Sequence, residues 1–353
     1  MISQKNKSEM IKSMLKEIEL CQNYLGSSKI NSIYFGGGTP SILDNRDLEL
    51  LFDKLRLTFD FKKDIEISIE SNPDDLSLQK LHFFKDIGIN RLSIGVQSFC
   101  SRELKFLNRG HNSKQALDCI ELAKQIGFNN ISIDLIYGLP NQNLEQWSGN
   151  LEIMFGLEIQ HFSAYSLTVE PKTMLHHLVK TKRIIVIDDP IAVEQYNLLT
   201  NQAKKNKFIQ YEISNFGKKE FFSKHNMAYW QGKKYLGIGP SAHSYNGISR
   251  KWNVSNNAKY IKQIHKGKLP FEKETLTDNQ KFNEYILTSL RTIWGLDLDF
   301  VRKHFDKKLL EYLINRSKKL KDEGKMQKKN GSLQLTKKGK LYADAIVVDL
   351  IVV

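Results

Sequence analysis

From residue 8 to about 175 the apolar positions alternate between the spacing of a helix and that of a strand. SEMIKSMLKEIELCQNYLG lines up Met10, Met14, Leu15, Ile18 and Cys21 on one side of a helix, with Gly26 as its stop. The strand SIYF follows, then a helix near 45–58, the strand DIEISIE, a helix near 76–87 and the strand RLSIGVQSF. Ser113 is the expected N-cap of a helix running through Ile120 and Ala123 to Gly127, ahead of the strand NISIDLIYG. A helix over 143–156 and the strand HFSAYSLTV complete the series. Strands rich in Ile and Val, each followed by a helix, predict a parallel sheet with helical crossovers.

Residues 176–275 are less regular and carry the Gly/aromatic cluster KHNMAYWQGKKYLGIGPSAHSYNG. Residues 276–353 form a small helical module ending in SLQLTKKGKLYADAIVVDLI, which reads as a short strand, a Lys/Gly turn and an amphipathic helix. That order is winged-helix-like. No recognition helix is evident, so the module is expected to serve packing.

With 353 residues and 41% hydrophobic content, the chain can bury a sizeable core and build more than one domain. It has no apolar run of membrane-spanning length, and its polar N-terminus lacks the core of a secretory signal, so a cytoplasmic location is expected. Lys and Arg number 53 against 39 Asp and Glu, a net charge of +14. That excess permits nucleic-acid or anionic-membrane contact. The lysines are scattered through ordinary helices without interleaved aromatics, which reads as compositional bias. No nucleic-acid partner is therefore expected, while peripheral membrane contact and a homodimer stay open. Cys21, Cys100 and Cys119 are too sparse for a disulfide framework, and no two share metal-ligand spacing.

Candidate chemistry falls at the C-terminal ends of strands, the edge where α/β folds build their sites. GGGTP after SIYF bares the backbone at Gly37 and Gly38, adds the Thr39 hydroxyl and stiffens the exit with Pro40. It is neither a P-loop nor GxGxxG, and reads equally as a tight barrel turn. Glu70, Gln97, Asp134 and Thr168 end successive strands, and Arg109 in FLNRGH offers a charge able to fork onto a carboxylate. Several polar groups on neighbouring strand ends suggest the lining of a polar cavity. His225 stands beside Tyr229 and Trp230 in KHNMAYW; such a histidine is a packing residue or a ligand.

The stretches YFGGGTPSIL, IEISIESNPDDL, RLSIGVQSF, ELKFLNRGH, ISIDLIYGLPNQ and YEISNF…KHNMAYWQG…YLGIGPSAHSY, in that order, resemble the HemW haem-chaperone family. This is the coproporphyrinogen III oxidase-like branch of the radical SAM superfamily, and the likeness extends from residue 8 through the C-terminal module. It implies a partial (β/α) barrel missing its first strand over residues 1–175, barrel completion and the haem motif over 176–275, and a helical, winged-helix-like domain over 276–353. It further implies S-adenosylmethionine held by Gly37, Gly38, Thr39, Glu70, Gln97, Arg109, Asp134 and Thr168. HNMAYW is similar to the HNxxYW haem motif, which implies haem bound by His225, Asn226, Tyr229 and Trp230, with His225 on the iron.

Family members carry a CxxxCxxC loop whose thiolates hold a [4Fe–4S] cluster. No such loop occurs here, and Cys21, Cys100 and Cys119 fall on separate elements. The resemblance leads us to expect an upstream segment absent from this reading of the gene; a naturally shortened form is the alternative. The leading functional expectation is a haem chaperone that delivers haem to a respiratory apoprotein and, as written, does not cleave adenosylmethionine. The alternatives are an oxygen-independent coproporphyrinogen III oxidase, an inactive remnant without its cluster, and an adaptor working through the C-terminal module.

Overall fold

The structure, a computed structural model, describes residues 4–352. The chain runs α1 (Gln4–Leu20), β1 (Ile30–Phe35), α2 (Asn45–Thr58), β2 (Phe61–Ser71), α3 (Leu78–Asp86), β3 (Arg91–Gln97), α4 (Ser101–Phe106) and α5 (Ser113–Gln125). It continues with β4 (Ile131–Tyr137), α6 (Leu144–Gly156), β5 (His161–Ser166), α7 (Met174–Lys180), α8 (Asp189–Lys205), β6 (Ile209–Glu212), β7 (Asn215–Gly217) and α9 (Lys224–Trp230). The last third holds β8 (His243–Tyr245), β9 (Ser249–Asn253), α10 (Asn257–His265), β10 (Phe271–Thr275), α11 (Asp278–Leu290), β11 (Leu296–Asp297) and α12 (Leu298–His304). It closes with α13 (Lys307–Asp322), β12 (Met326–Lys329), β13 (Ser332–Leu335), α14 (Lys337–Lys340) and α15 (Ala343–Leu350).

Seven strands form one sheet in the order β1-β2-β3-β4-β5-β7-β6, the curled half-barrel of the expected α/β class. Strands β2 to β5 pair in parallel, and β7 joins β5 and β6 antiparallel. The residues gather into two compact units. One comprises Ile33–Leu43 with Glu66–Ser223; the other holds the described residues through Ser32, Asp44–Ile65 and those from Lys224 on.

In the first unit the two-residue period of the strands sorts the side chains by chemistry. Ile67, Ile69, Leu92, Ile94, Ile131, Ile133 and Phe162 are buried on one face. Register pairs Ser68 with Arg91, Glu70 with Ser93, Ser93 with Ser132, Ser132 with His161 and Asp134 with Ser163 on the other. A polar barrel interior departs from the usual filling of branched aliphatics. Part of it is paired internally: Ser132 Oγ lies 2.7 Å from His161 Nδ1, and His161 Nε2 lies 2.8 Å from the Tyr211 hydroxyl, while the Ser68 hydroxyl is buried without a partner. Burial holds His161 well below its usual range, so the ring is neutral.

Some local expectations shift by a residue or more. Asn112, not Ser113, caps α5: its carboxamide accepts from the Gln115 N–H at 3.0 Å, and Gln115 returns a bond to the Asn112 N–H at 2.9 Å. The reciprocal box satisfies two donors where a serine one residue later would satisfy one. β5 ends at Ser166, so Leu167, Thr168 and Val169 lie beyond it. α4 was not foreseen, since six residues are too few to display a helical period.

In the second unit α1 packs on α2 and α10. The buried Glu17 of α1 accepts bonds from the Gly239 N–H at 2.7 Å, Asn253 Nδ2 at 2.6 Å and the Tyr260 hydroxyl at 2.6 Å. One carboxylate thereby fastens a loop, a strand and a helix. Strands β8, β9 and β10 form an antiparallel sheet, and β11-β13-β12 with α11, α12 and α13 form the winged-helix-like module.

Candidate functional site

In the first unit the three glycines after β1 have three separate reasons. A Cβ on Gly36 would stand 2.4 Å from the Tyr34 ring and 2.8 Å from Glu70 Oε1. Gly37 adopts φ +82°, a backbone state side chains disfavour, and both Gly37 and Gly38 have open space where a Cβ would point. Glu70 is the penultimate residue of β2, where Oε1 accepts from the Tyr34 hydroxyl at 2.6 Å and Oε2 from the Gly37 N–H at 3.2 Å. Gly36→Ala is therefore expected to push Glu70 aside and destabilise by about 1–3 kcal/mol. Chemical denaturation measures this, and an unchanged midpoint contradicts the packing argument.

Asp134 sits on β4 opposite Ser163, and the Ser93 hydroxyl donates to its Oδ2 at 3.4 Å. Burial pushes the carboxyl up to about 6, with the Glu70 charge adding to the rise and the serine bonds opposing it. At the end of β3 the register slips between Ile94 and Gln97, and Gln97 turns to φ +67°. Gln97 Nε2 and Arg109 Nη2 converge there, 3.0 and 3.2 Å from where a Cβ on Gly95 would lie. Arg109 is held by neutral partners. Its Nη2 donates to Asn72 Oδ1 at 2.5 Å and to the Gly95 carbonyl at 2.8 Å, and its Nε is buried without a partner. Both acceptors are neutral, so the guanidinium keeps its attraction for an anionic group.

Glu70, Gln97, Arg109 and the Gly37–Gly38 backbone thus gather at one end of the sheet, while Asp134, expected at a strand end, lies midway along β4. Two carboxyls can receive an ammonium, a guanidinium can receive a carboxylate, and bare backbone admits a ligand closely. An amino-acid zwitterion fits that donor set. Thr39 precedes a short turn at Pro40–Ile42 and its side chain makes no capping bond there. Thr168 is exposed, with its hydroxyl 3.5 Å from the Ser166 carbonyl.

The second unit holds the other candidate set on α9. His225 Nδ1 lies 3.1 Å from the Ser32 hydroxyl, and its ring meets Tyr229 edge-on at 4.9 Å. Tyr229 meets Tyr235 at 4.6 Å, and Tyr235 meets Tyr245 at 6.3 Å. Burial lowers the His225 pKa from 6.5 to about 4, so the imidazole is neutral and able to ligate iron across physiological pH. Trp230 lies under the Arg291 guanidinium, 5.5 Å from ring centroid to Cζ, with its indole N–H buried and unpartnered. Asn226 shares this helix, half-buried.

Sequence reading missed Tyr34, Gly36, Ser93 and Ser163 in the first set, and Ser32, Tyr235 and Tyr245 in the second. Strand alternation alone could have flagged Tyr34 and Gly36, which lie two apart on one face. Nothing local could have joined Tyr235 and Tyr245 to Tyr229, because β8 brings Tyr245 beside Tyr235 through a bridge.

The cysteines do not fit an iron–sulfur cluster. Cys21 and Cys119 are buried, Cys100 lies on a separate segment, and no group of three His, Cys, Asp or Glu among the described residues could hold a metal ion. Burial pushes the Cys119 thiol up to about 12, away from the thiolate a cluster requires. No helix among the described residues is long and apolar enough to cross a membrane.

Residues 6–152 match the radical SAM superfamily model, and residues 276–342 match that of the HemN C-terminal domain. Haem chaperone HemW of Bacillus subtilis is 33% identical over 323 residues, covering 91% of this chain and 85% of that protein. Haem chaperone HemW of Buchnera aphidicola from Acyrthosiphon pisum is 32% identical over 355 residues, covering 96% of this chain and 89% of its own. Among solved structures, the radical SAM enzyme coproporphyrinogen III oxidase (HemN) of Escherichia coli superposes with a TM-score of 0.85 at 22% identity. That superposition covers 99% of this chain and 84% of that one, and supports the fold.

Proposed function

Because the chain belongs to the HemW family of the radical SAM superfamily, we propose that it binds haem and S-adenosylmethionine and passes haem to a respiratory apoprotein in the cytoplasm. The observation that carries the haem half is His225, a half-buried imidazole kept neutral down to about pH 4 within HNMAYW. Haem is cargo in this reading: His225 meets the iron, and Tyr229 with Trp230 offers aromatic surface to the macrocycle. The Ser32 hydroxyl at Nδ1 orients the ring.

Adenosylmethionine belongs to the other unit. Glu70 and Asp134 would receive its amino group, Arg109 its carboxylate and Gln97 its polar edge, while Gly37 and Gly38 admit it against the backbone beside Thr39. Bound there, the cofactor supplies a sulfonium-activated adenosyl group. The described cysteines do not fit the cluster that family members use, so no cleavage step is assigned to these residues.

Titration of the purified chain with haemin tests the first half: a saturable Soret shift is expected, and an unchanged spectrum refutes it. Calorimetry with S-adenosylmethionine tests the second. Glu70→Gln removes one charge while keeping the shape, and is expected to weaken binding about tenfold. Equal affinity in the variant would remove Glu70 from the site.

A further inference from the structure

The loop Arg109–His111 is locked against the turn Asn72–Asp75 and the end of β3. Arg109 bonds to Asn72 and Gly95, and a Cβ on Gly110 would stand 2.8 Å from Asp74 Oδ2. His111 is 3% exposed and directs Nε2 at the Val96 carbonyl, 3.1 Å away. A carbonyl only accepts, so Nε2 carries the proton and the neutral ring leaves Nδ1 bare. That Nδ1 is buried, has no hydrogen-bond partner, and faces Asp74 Oδ1 across 3.8 Å. Two acceptors confront each other there with no proton between them.

The placement ties together two residues of the candidate site. Val96 precedes Gln97, whose left-handed backbone needs support, and its carbonyl also accepts from the Ser98 N–H at 2.8 Å. Arg109 is two residues before His111 on the same loop. Burial lowers the His111 pKa below 6.5, the Val96 bond opposes, Arg109 adds to the lowering and Asp74 opposes it. The other titratable groups near the turn are Asp75, engaged by Ser41 and Asn72, and the Cys119 thiol of α5, which burial keeps neutral.

We infer that His111 is a positioning residue for the ligand site: its Nε2–H bond to Val96 sets Gln97 and Arg109, and a proton taken from solvent at Nδ1 draws Asp74 in and loosens the Asn72–Arg109 clamp. The inference rests on the reading of this strand edge as an adenosylmethionine site. The only bond made is N–H at Nδ1, and the ring becomes a cation paired with the Asp74 carboxylate.

The test is calorimetry with S-adenosylmethionine on the full chain, from about pH 8 to about pH 4.5, a window that extends well below the ordinary histidine range. His111→Gln keeps a donor for Val96 without a titrating ring, and His111→Leu keeps neither. At about pH 8, His111→Gln should bind within about twofold of the wild type and His111→Leu about tenfold weaker, with thermal melts confirming both folds. Below pH 6.5 the wild type should lose affinity relative to His111→Gln. Asp134 titrates alike in both proteins, so it cancels from that ratio. Wild-type affinity in His111→Leu, or a ratio constant with pH, overturns the inference. A wild-type chain that never binds S-adenosylmethionine overturns the ligand reading instead. Side-chain nitrogen NMR of the free chain then decides the latch: Arg109 signals must follow the His111 titration, and Arg109 signals indifferent to it reject the latch.

Discussion

His225→Ala is expected to abolish the wild-type Soret shift on haemin addition and to weaken binding by roughly 10–100-fold. The ring is the only side chain in HNMAYW whose nitrogen suits iron, and what remains after its removal is aromatic contact. The pH profile provides an internal check. A neutral imidazole ligates and an imidazolium does not, so binding should stay level from neutral pH downward and collapse as pH passes through about 4. Ser32→Ala should cost less, since it frees the ring's orientation and leaves the ligand in place. A Soret shift in His225→Ala equal to that of the wild type would take the imidazole out of the account.

The same burial has a stability consequence. The folded state holds His225 near 4 while the unfolded chain protonates it at 6.5, so the stability present above pH 6.5 drains as pH falls toward 4. The difference amounts to about 3 kcal/mol. His225→Ala should therefore lose part of the wild type's acid sensitivity in this unit.

Glu17→Ala is expected to produce the largest loss of stability. Removing the carboxylate strands three donors, the Gly239 N–H, the Asn253 amide and the Tyr260 hydroxyl, in a site where Glu17 itself is fully buried. Breaking a buried charged network from one side costs roughly 3–5 kcal/mol, enough to lower a melting midpoint by roughly 10 °C. The acid response of this group runs opposite to that of His225. Burial raises the Glu17 carboxyl above 4.5, so the folded chain takes up its proton more readily and this group favours folding as pH falls. A melt of Glu17→Ala coincident with that of the wild type would show that the loop, strand and helix hold without it.

Much of the half-barrel was legible along the chain. Alternating helical and strand periods named β1 to β5 and the helices between them except the short α4, because amphipathic spacing is local and each longer element carries its own. The residue types near strand ends likewise marked Glu70 and Gln97, since a parallel sheet collects its C-terminal ends at one edge, whereas Asp134 lies midway along β4. The HNMAYW stretch stood out by its likeness to a family motif, its residues alone leaving a packing histidine open.

Tertiary structure decided which groups act together and in what state. Glu70 needs Tyr34, 36 residues distant, and Gly36 must be bare because that carboxylate crowds it. Arg109 is held in place by Asn72 and the Gly95 carbonyl, two neutral acceptors, a choice made by a loop folded against a turn. The depressed basicity of His225 and the raised acidity constant of Asp134 come from desolvation, which no run of neighbours along a chain encodes. Periodicity is a property of adjacent residues, whereas partners and dielectric are properties of segments brought together by the fold.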